Sequence, residues 1–152
     1  MAVAIRQARE QDREVILAIM KSANMHHVPS PEMPELDIGS FFVATVDGRP
    51  VGAAGYKLLS PSRAKTTLMA VLPELKGLGI GKRLQRRRMS ELKRLGVKVL
   101  TTNADLPATI EWYRRHFGYR VVGSLAKVHE FGAPDIARWT TLEANLEEWV
   151  DE

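Results

Sequence analysis

A mixed α/β domain is what the 152-residue sequence predicts. Three observations carry this. Strand-like apolar runs alternate with helical ones along the chain, Asp47-Gly48 supplies a hairpin turn, and a glycine-rich turn leads from a strand into a basic helix. The length fits a single domain over residues 1–152, large enough to bury a core without staples.

Val3 to Ala8 alternates like a strand, and Gln11 to Ala23 sets Val15, Ile16, Ile19 and Met20 at helical spacing. Residues 24–40 hold three prolines and read as a loop with at most a short helix. Phe41 to Val46 and Val51 to Leu59 flank Asp47-Gly48-Arg49-Pro50, whose Asp-Gly pair accepts the positive φ angles of a tight hairpin. Ala64 to Val71 is a further strand, stopped before Pro73, which has no N–H to give a sheet. In the next helix Ile80, Leu84, Leu92 and Leu95 share a face, and Gly96 ends it. Arg88 falls within that apolar face, a conflict that a snorkelling stem or an acidic partner would relieve. Val97 to Thr102 is a short strand, Pro107 to Phe117 a helix, and Tyr119 to Val128 and Ala137 to Leu142 two closing strands. Glu147 to Glu152 is expected to fray or form a helical tail.

Hydrophobic residues at 45% and charged residues at 26% exclude a disordered chain and a coiled coil. With neither a membrane-length apolar run nor a signal-type N-terminus, the expectation is a cytoplasmic protein without a membrane partner. The absence of cysteine excludes disulfides, thiolate metal sites and a cysteine nucleophile. Group transfer would therefore proceed through another nucleophile or by direct attack of the acceptor. Between Lys76 and Arg94 eight bases face one acid, Glu91, a net of +7 within a chain of +4, so the remainder carries −3. Such a segment attracts a polyanion or a phosphorylated cofactor, or is simply a solvated helix face.

Glycines between a strand and a helix form a phosphate cradle, because the backbone approaches closely and the first helical N–H groups are free. The usual triphosphate loop is excluded, since position 76 is Lys where a glycine is needed and position 83 is Arg where Ser or Thr is needed. A dinucleotide fingerprint is disfavoured because Leu84 occupies the third glycine position after Gly79-Ile80-Gly81.

What remains, Lys76-x-x-Gly79-x-Gly81 after a strand ending Leu68-Met69-Ala70-Val71-Leu72-Pro73-Glu74, resembles the GNAT superfamily of acetyl-CoA-dependent N-acetyltransferases. Lys76 stands where the family has Gln or Arg. Asn103, Trp112-Tyr113 and Gly118-Tyr119 look like the family's second half, with Tyr119 in place of Phe and one extra residue between Tyr113 and Gly118. The resemblance covers nearly the whole chain. It implies a mostly antiparallel sheet of seven strands, splayed between the fourth and fifth and flanked by four helices.

The same resemblance implies acetyl-CoA as co-substrate and no metal. Lys76, Gly77, Leu78, Gly79, Ile80, Gly81, Lys82 and Arg83 would hold its phosphates, Met69, Ala70 and Val71 would run along the pantetheine arm, and Asn103 would face that arm. Among partners it implies a small-molecule or peptide amine, and a homodimer is consistent with the family's habits. Deprotonating a lysine-like amine at pH 7 costs about 4.6 kcal/mol, against about 1 kcal/mol for an α-amine. Tyr113 is the candidate acid for the departing thiolate, with a packing role as its alternative. Family members often carry a Glu on the strand before the loop, but Lys65-Thr66-Thr67-Leu68-Met69 has no carboxylate. His129 and Glu130 are the candidate bases, followed by His26, His27, Glu35 and Asp37 of the proline-rich loop; adjacent His26-His27 makes a poor metal pair. A non-catalytic acyl-CoA-binding module is the alternative function. Nucleic-acid binding by the basic helix is disfavoured, since no aromatic stacking residues lie among its bases.

Overall fold

The computed structural model describes residues 2–23, 37–127 and 135–151. Seven strands, β1 (Val3–Gln7), β2 (Phe41–Val46), β3 (Arg49–Leu58), β4 (Arg63–Val71), β5 (Val99–Ala104), β6 (Arg120–Ala126) and β7 (Arg138–Asn145), form one sheet in the order β1-β2-β3-β4-β5-β7-β6. Every neighbouring pair is antiparallel except β4 and β5, which run parallel. Three α-helices accompany the sheet among the described residues: α1 (Arg13–Ser22), α2 (Ile80–Arg94) and α3 (Pro107–Phe117). The fourth helix expected from the family falls where residues 24–36 lie outside the described residues.

Alternation along β2 separates the two faces of the sheet. Phe41 and Val43 pack with Ile16, Ile19 and Met20 of α1, together with Leu68 and Ala70 of β4. Phe42 and Ala44 pack on the other face with Ile80 and Leu84 of α2. Farther along that second face, Met89 and Leu92 of α2 join Tyr113 and Phe117 of α3 over Leu100, Leu142 and Ala144. Because both faces of β2 are covered, its sequence is a continuous apolar run rather than an alternating one. Gly52 lets α2 come close: a Cβ there would lie 3.1 Å from the Leu84 side chain and 3.2 Å from the Ala70 carbonyl.

The hairpin forms as expected, with φ of 50° at Asp47 and 84° at Gly48, both in the left-handed region its turn requires. The late strands are longer than their apolar cores suggest. β5 runs to Ala104 and β7 to Asn145, because six consecutive pairs between them carry polar residues such as Asn103 and Thr141 into the ladder. The C-terminal tail is anchored rather than frayed. The Leu146 N–H bonds the Lys98 carbonyl at 2.8 Å with its side chain fully buried, and Asp151 accepts from Arg86 and Ser90, each at 2.9 Å.

Candidate functional site

β4 and β5 stay paired over only three positions, Arg63↔Val99, Ala64↔Leu100 and Lys65↔Thr101. Beyond Lys65 they part, while β5 remains bound to β7 as far as Ala104 and β4 remains bound to β3 as far as Val71. The gap between them is therefore open sheet edge. Which groups line it follows from the ladder. The Leu72 N–H bonds the Val51 carbonyl at 2.8 Å, so the Ala53–Ala70 pair two residues on is also hydrogen bonded. Met69 and Val71 consequently turn their N–H and C=O groups toward the gap, where no strand among the described residues meets them. Of the three arm residues expected from sequence, Ala70 gives its main chain to β3 and the other two present theirs.

A bulge precedes this edge. The register passes from Ala54↔Met69 to Tyr56↔Thr66, placing Thr67 and Leu68 opposite Gly55. Arg88 holds that irregularity in place. Its guanidinium is fully buried, and Nη1 donates to the Gly55 carbonyl at 2.9 Å and the Leu68 carbonyl at 3.3 Å. Its Nε donates to Gln85 Oε1 at 3.0 Å. Neither expected relief for Arg88 operates: the side chain does not snorkel, and carbonyl oxygens rather than a carboxylate satisfy it. Gln85 Nε2 donates onward to the Tyr119 hydroxyl at 3.0 Å, Tyr119 is bonded to Thr102 at 3.2 Å, and Thr102 to Thr66 at 3.1 Å. A buried polar chain thus links the bulge of β4 to the point where β4 and β5 separate. Burial pushes the Tyr119 phenol upward, and the adjacent Tyr113 phenol adds to that, so it stays protonated while its oxygen accepts from Gln85 and Thr102.

At the far end of β4 a short 3₁₀ turn, Pro73–Leu75, leads through Lys76 to α2. Gly77 (φ 87°) and Gly79 (φ 78°) are left-handed, which only glycine adopts cheaply. Gly81 is ordinary helix, with room for a Cβ 4.0 Å from its nearest neighbours, the side chains of Met69 and Val71. No side chain caps α2, and its first main-chain bond runs from Arg83 N–H to Gly79 O at 3.1 Å. The N–H groups of the first turn are therefore available to an anion. Ile80 is buried and fixes the helix start, whereas Lys76, Leu78, Lys82 and Arg83 are exposed.

The positive charge of α2 divides along its length. Toward the C-terminal end Arg86 pairs with Asp151 at 2.9 Å, Arg94 with Glu91, Lys93 donates to the Trp149 carbonyl at 2.6 Å, and Arg87 stacks 5.1 Å over the Phe42 ring. At the N-terminal end Lys76, Lys82 and Arg83 have no ion-pair partner among the described residues. The donor set at the end of β4 thus suits a phosphorylated ligand with an extended, amide-bearing arm.

Tyr113 lies on α3 with its ring against Trp112 at 4.9 Å and Tyr119 at 5.0 Å between centroids. The residue is buried, yet its hydroxyl makes no hydrogen bond to a described residue and is not sealed from solvent; Thr67 Oγ1 is the buried side-chain polar atom left unpartnered among the described residues. Sequence does not mark Tyr119 and Gln85 as members of a polar network, because the bonds of Tyr119 reach Gln85 and Thr102 on other elements and only the Gln85–Arg88 bond is local. Asn103 is exposed on the face opposite Thr102, where its Oδ1 accepts from Thr141 at 2.7 Å. His129, Glu130, His26, His27 and Glu35 lie outside the described residues. Asp37 accepts from the Ser40 hydroxyl at 2.9 Å at the start of a 3₁₀ turn. No cluster of metal-binding side chains occurs among the described residues.

Comparison with solved structures finds the same fold in Ard1 from Thermoplasma volcanium, at TM-score 0.77 and 20% identity with 100% of both chains covered. The ribosomal-protein-S18-alanine N-acetyltransferase of Escherichia coli matches at TM-score 0.76 and 17% identity, over 95% of this chain and 94% of that one. Rv2747 from Mycobacterium tuberculosis, in complex with CoA, matches at TM-score 0.71 and 17% identity, over 93% and 98% respectively. Comparison with curated proteins finds no match. The model of the acetyltransferase (GNAT) family matches residues 4–119, from β1 through the bulged and splayed β4, the glycine turn and α3 to Tyr119, and the chain belongs to that family.

Proposed function

We propose that this chain is an N-acetyltransferase that moves an acetyl group from acetyl-CoA to a primary amine of a small molecule, amino acid or peptide, by direct attack in a ternary complex. The observation that carries the reading is the alignment of two unsatisfied features: the free main-chain edge of Met69 and Val71, and the uncapped N-terminus of α2 with Lys76, Lys82 and Arg83 around it. The edge pairs with the amides of the pantetheine arm, and the helix N-terminus takes the pyrophosphate, where dipole and N–H donors favour anions by about 0.3–1 kcal/mol or more.

Acetyl-CoA supplies the thioester: as the amine nitrogen forms the new C–N bond the C–S bond breaks, the amine gives up one proton and the departing thiolate takes one. Tyr113 Oη provides that proton and recovers one from solvent, consistent with a hydroxyl bonded to no described residue. The sequence contains no cysteine that could carry an acyl intermediate. On β4 the residues near the splay offer no carboxylate; Lys65 faces the acceptor side instead. A cation there disfavours an arriving ammonium and so favours the neutral, reactive amine.

The test is thiol release from acetyl-CoA across a panel of amines, which the cysteine-free protein reports without background. Acceptor-dependent release is expected. Calorimetric binding of acetyl-CoA with no turnover on any amine would instead favour the acyl-CoA-binding module.

A further inference from the structure

Lys57 and Lys65 are direct cross-strand partners on β3 and β4. Like charges placed directly opposite one another destabilise a sheet, because their Cβ atoms stand only about 4.5–5.5 Å apart. Among the described residues no acid offsets this. Neither lysine has an ion-pair partner among the described residues, and Glu143 of β7 is bound to Arg63 at 3.0 Å. The register sets Glu143 opposite Thr101 and Thr101 opposite Lys65, two strands away from the lysine.

The pair occupies a telling place. Ala64 packs with Met89 and Leu92 of α2, so Lys65 points to the opposite face, the one that also carries Asn103 and Thr141. Lys65 is the last residue of β4 still paired with β5, at the root of the splay. It is half-buried while Lys57 is exposed. Burial and then the Lys57 charge both push the Lys65 amine downward, as expected for a cation lacking a counter-ion. Two residues on, Thr67 Oγ1 is buried without a partner. A like-charge pair uncompensated among the described residues is a poor arrangement for the fold alone and a good one for an anion.

We propose that Lys57 and Lys65 bind an anionic group of the acceptor, a carboxylate or a phosphate, so that the preferred substrates are amines that also carry a negative charge. This rests on the acetyltransferase reading, because the splay places the lysine pair beside the reacting amine. Two ammonium groups act as point charges and accept either anion. The chemistry to be distinguished is therefore anion against neutral isostere.

The experiment titrates protein whose lysines carry ¹³C-methyl groups with succinate, inorganic phosphate and the neutral succinamide, with and without saturating CoA. The Lys65 signal, assigned by its loss in Lys65→Arg, should shift saturably with succinate or phosphate and stay still with succinamide. Whichever anion binds more tightly identifies the group. In Lys57→Gln the apparent affinity should weaken at least fivefold. In parallel, β-alanine and β-alaninamide, phosphoethanolamine and ethanolamine are compared as acceptors. The charged member of at least one pair should exceed the neutral one tenfold in kcat/KM, and Lys65→Gln should collapse that ratio while leaving CoA affinity unchanged. Equal response to succinamide, or no Lys65 shift with any anion, overturns the proposal. Loss of CoA binding by the wild type would overturn the acetyltransferase reading instead, and the anion titration, which needs no turnover, still decides this one.

Discussion

Arg88 Nη1 donates to the carbonyl of Gly55 at 2.9 Å, joining the centre of α2 to a residue 33 positions earlier at the bulge of the sheet. Arginine is charged under all ordinary conditions, and burying it without a carboxylate is costly unless every donor meets an acceptor. Here the carbonyls of Gly55 and Leu68 at the bulge perform that service together with Gln85 Oε1. Arg88→Met should destabilise the fold by about 2–4 kcal/mol, since Gln85 Oε1 and the carbonyls of Gly55 and Leu68 all lose their donor. Urea unfolding measures it. A loss under about 0.5 kcal/mol would mean the carbonyls find other partners.

Two tyrosines whose rings touch should behave oppositely. Tyr119→Phe removes a hydroxyl bonded to Gln85 and Thr102 and should cost about 1–2 kcal/mol of stability with little change in cofactor affinity. Tyr113→Phe removes a hydroxyl bonded to no described residue; stability should hold while turnover falls about 10²-fold. Paired melting curves and rate measurements separate the roles. If Tyr113→Phe keeps its rate, Tyr113 is a packing residue.

Much of this arrangement is legible in the sequence, and the parts that are not share one cause. The Asp47-Gly48 hairpin, the stop at Pro73 and the bounds of α2 and α3 are local, set by turn chemistry and helical spacing over a few residues. The conflict at Arg88 is visible too, but its resolution depends on carbonyls 33 and 20 residues away, which no spacing rule reveals. The same holds for the tail. Its acids and tryptophan look like an unattached end until Asp151 meets Arg86, 65 residues earlier. The extra length of β5 and β7 arises from mutual pairing of polar residues rather than from an apolar run. In the glycine loop the motif marks Gly79 and Gly81 alike and leaves position 77 open, whereas positive φ falls at Gly77 and Gly79.

Acid should weaken the N-terminal region through one carboxylate. Asp12 is buried and accepts from both terminal nitrogens of Arg6, at 2.8 and 3.0 Å, and from the Arg9 N–H at 2.8 Å. The Arg6 bonds, against an opposing effect of burial, hold its carboxyl down at about 2. A folded value below the unfolded one stabilises above the unfolded pKa and is lost as pH falls through both. The contribution of about 2 kcal/mol should therefore be complete above roughly pH 4 and gone near pH 2. The stability gap between wild type and Asp12→Asn should be about 2 kcal/mol at pH 7 and should close across that window. A gap unchanged at low pH would contradict the pairing.

The central claim, that the uncapped start of α2 and the free edge of β4 bind acetyl-CoA, is tested most directly by calorimetric titration of acetyl-CoA into wild type, Gly81→Ala and Gly79→Val. Gly81 has space for a methyl group, so Gly81→Ala should bind within about twofold of wild type, whereas Gly79→Val forces a branched residue into left-handed backbone where phosphate must approach. Its affinity should fall at least tenfold, about 1.4 kcal/mol, with circular dichroism confirming the fold, and wild-type binding should weaken as salt rises. Folded wild-type protein that gives no saturable heat with acetyl-CoA, or a folded Gly79→Val that binds as tightly as wild type, would contradict it.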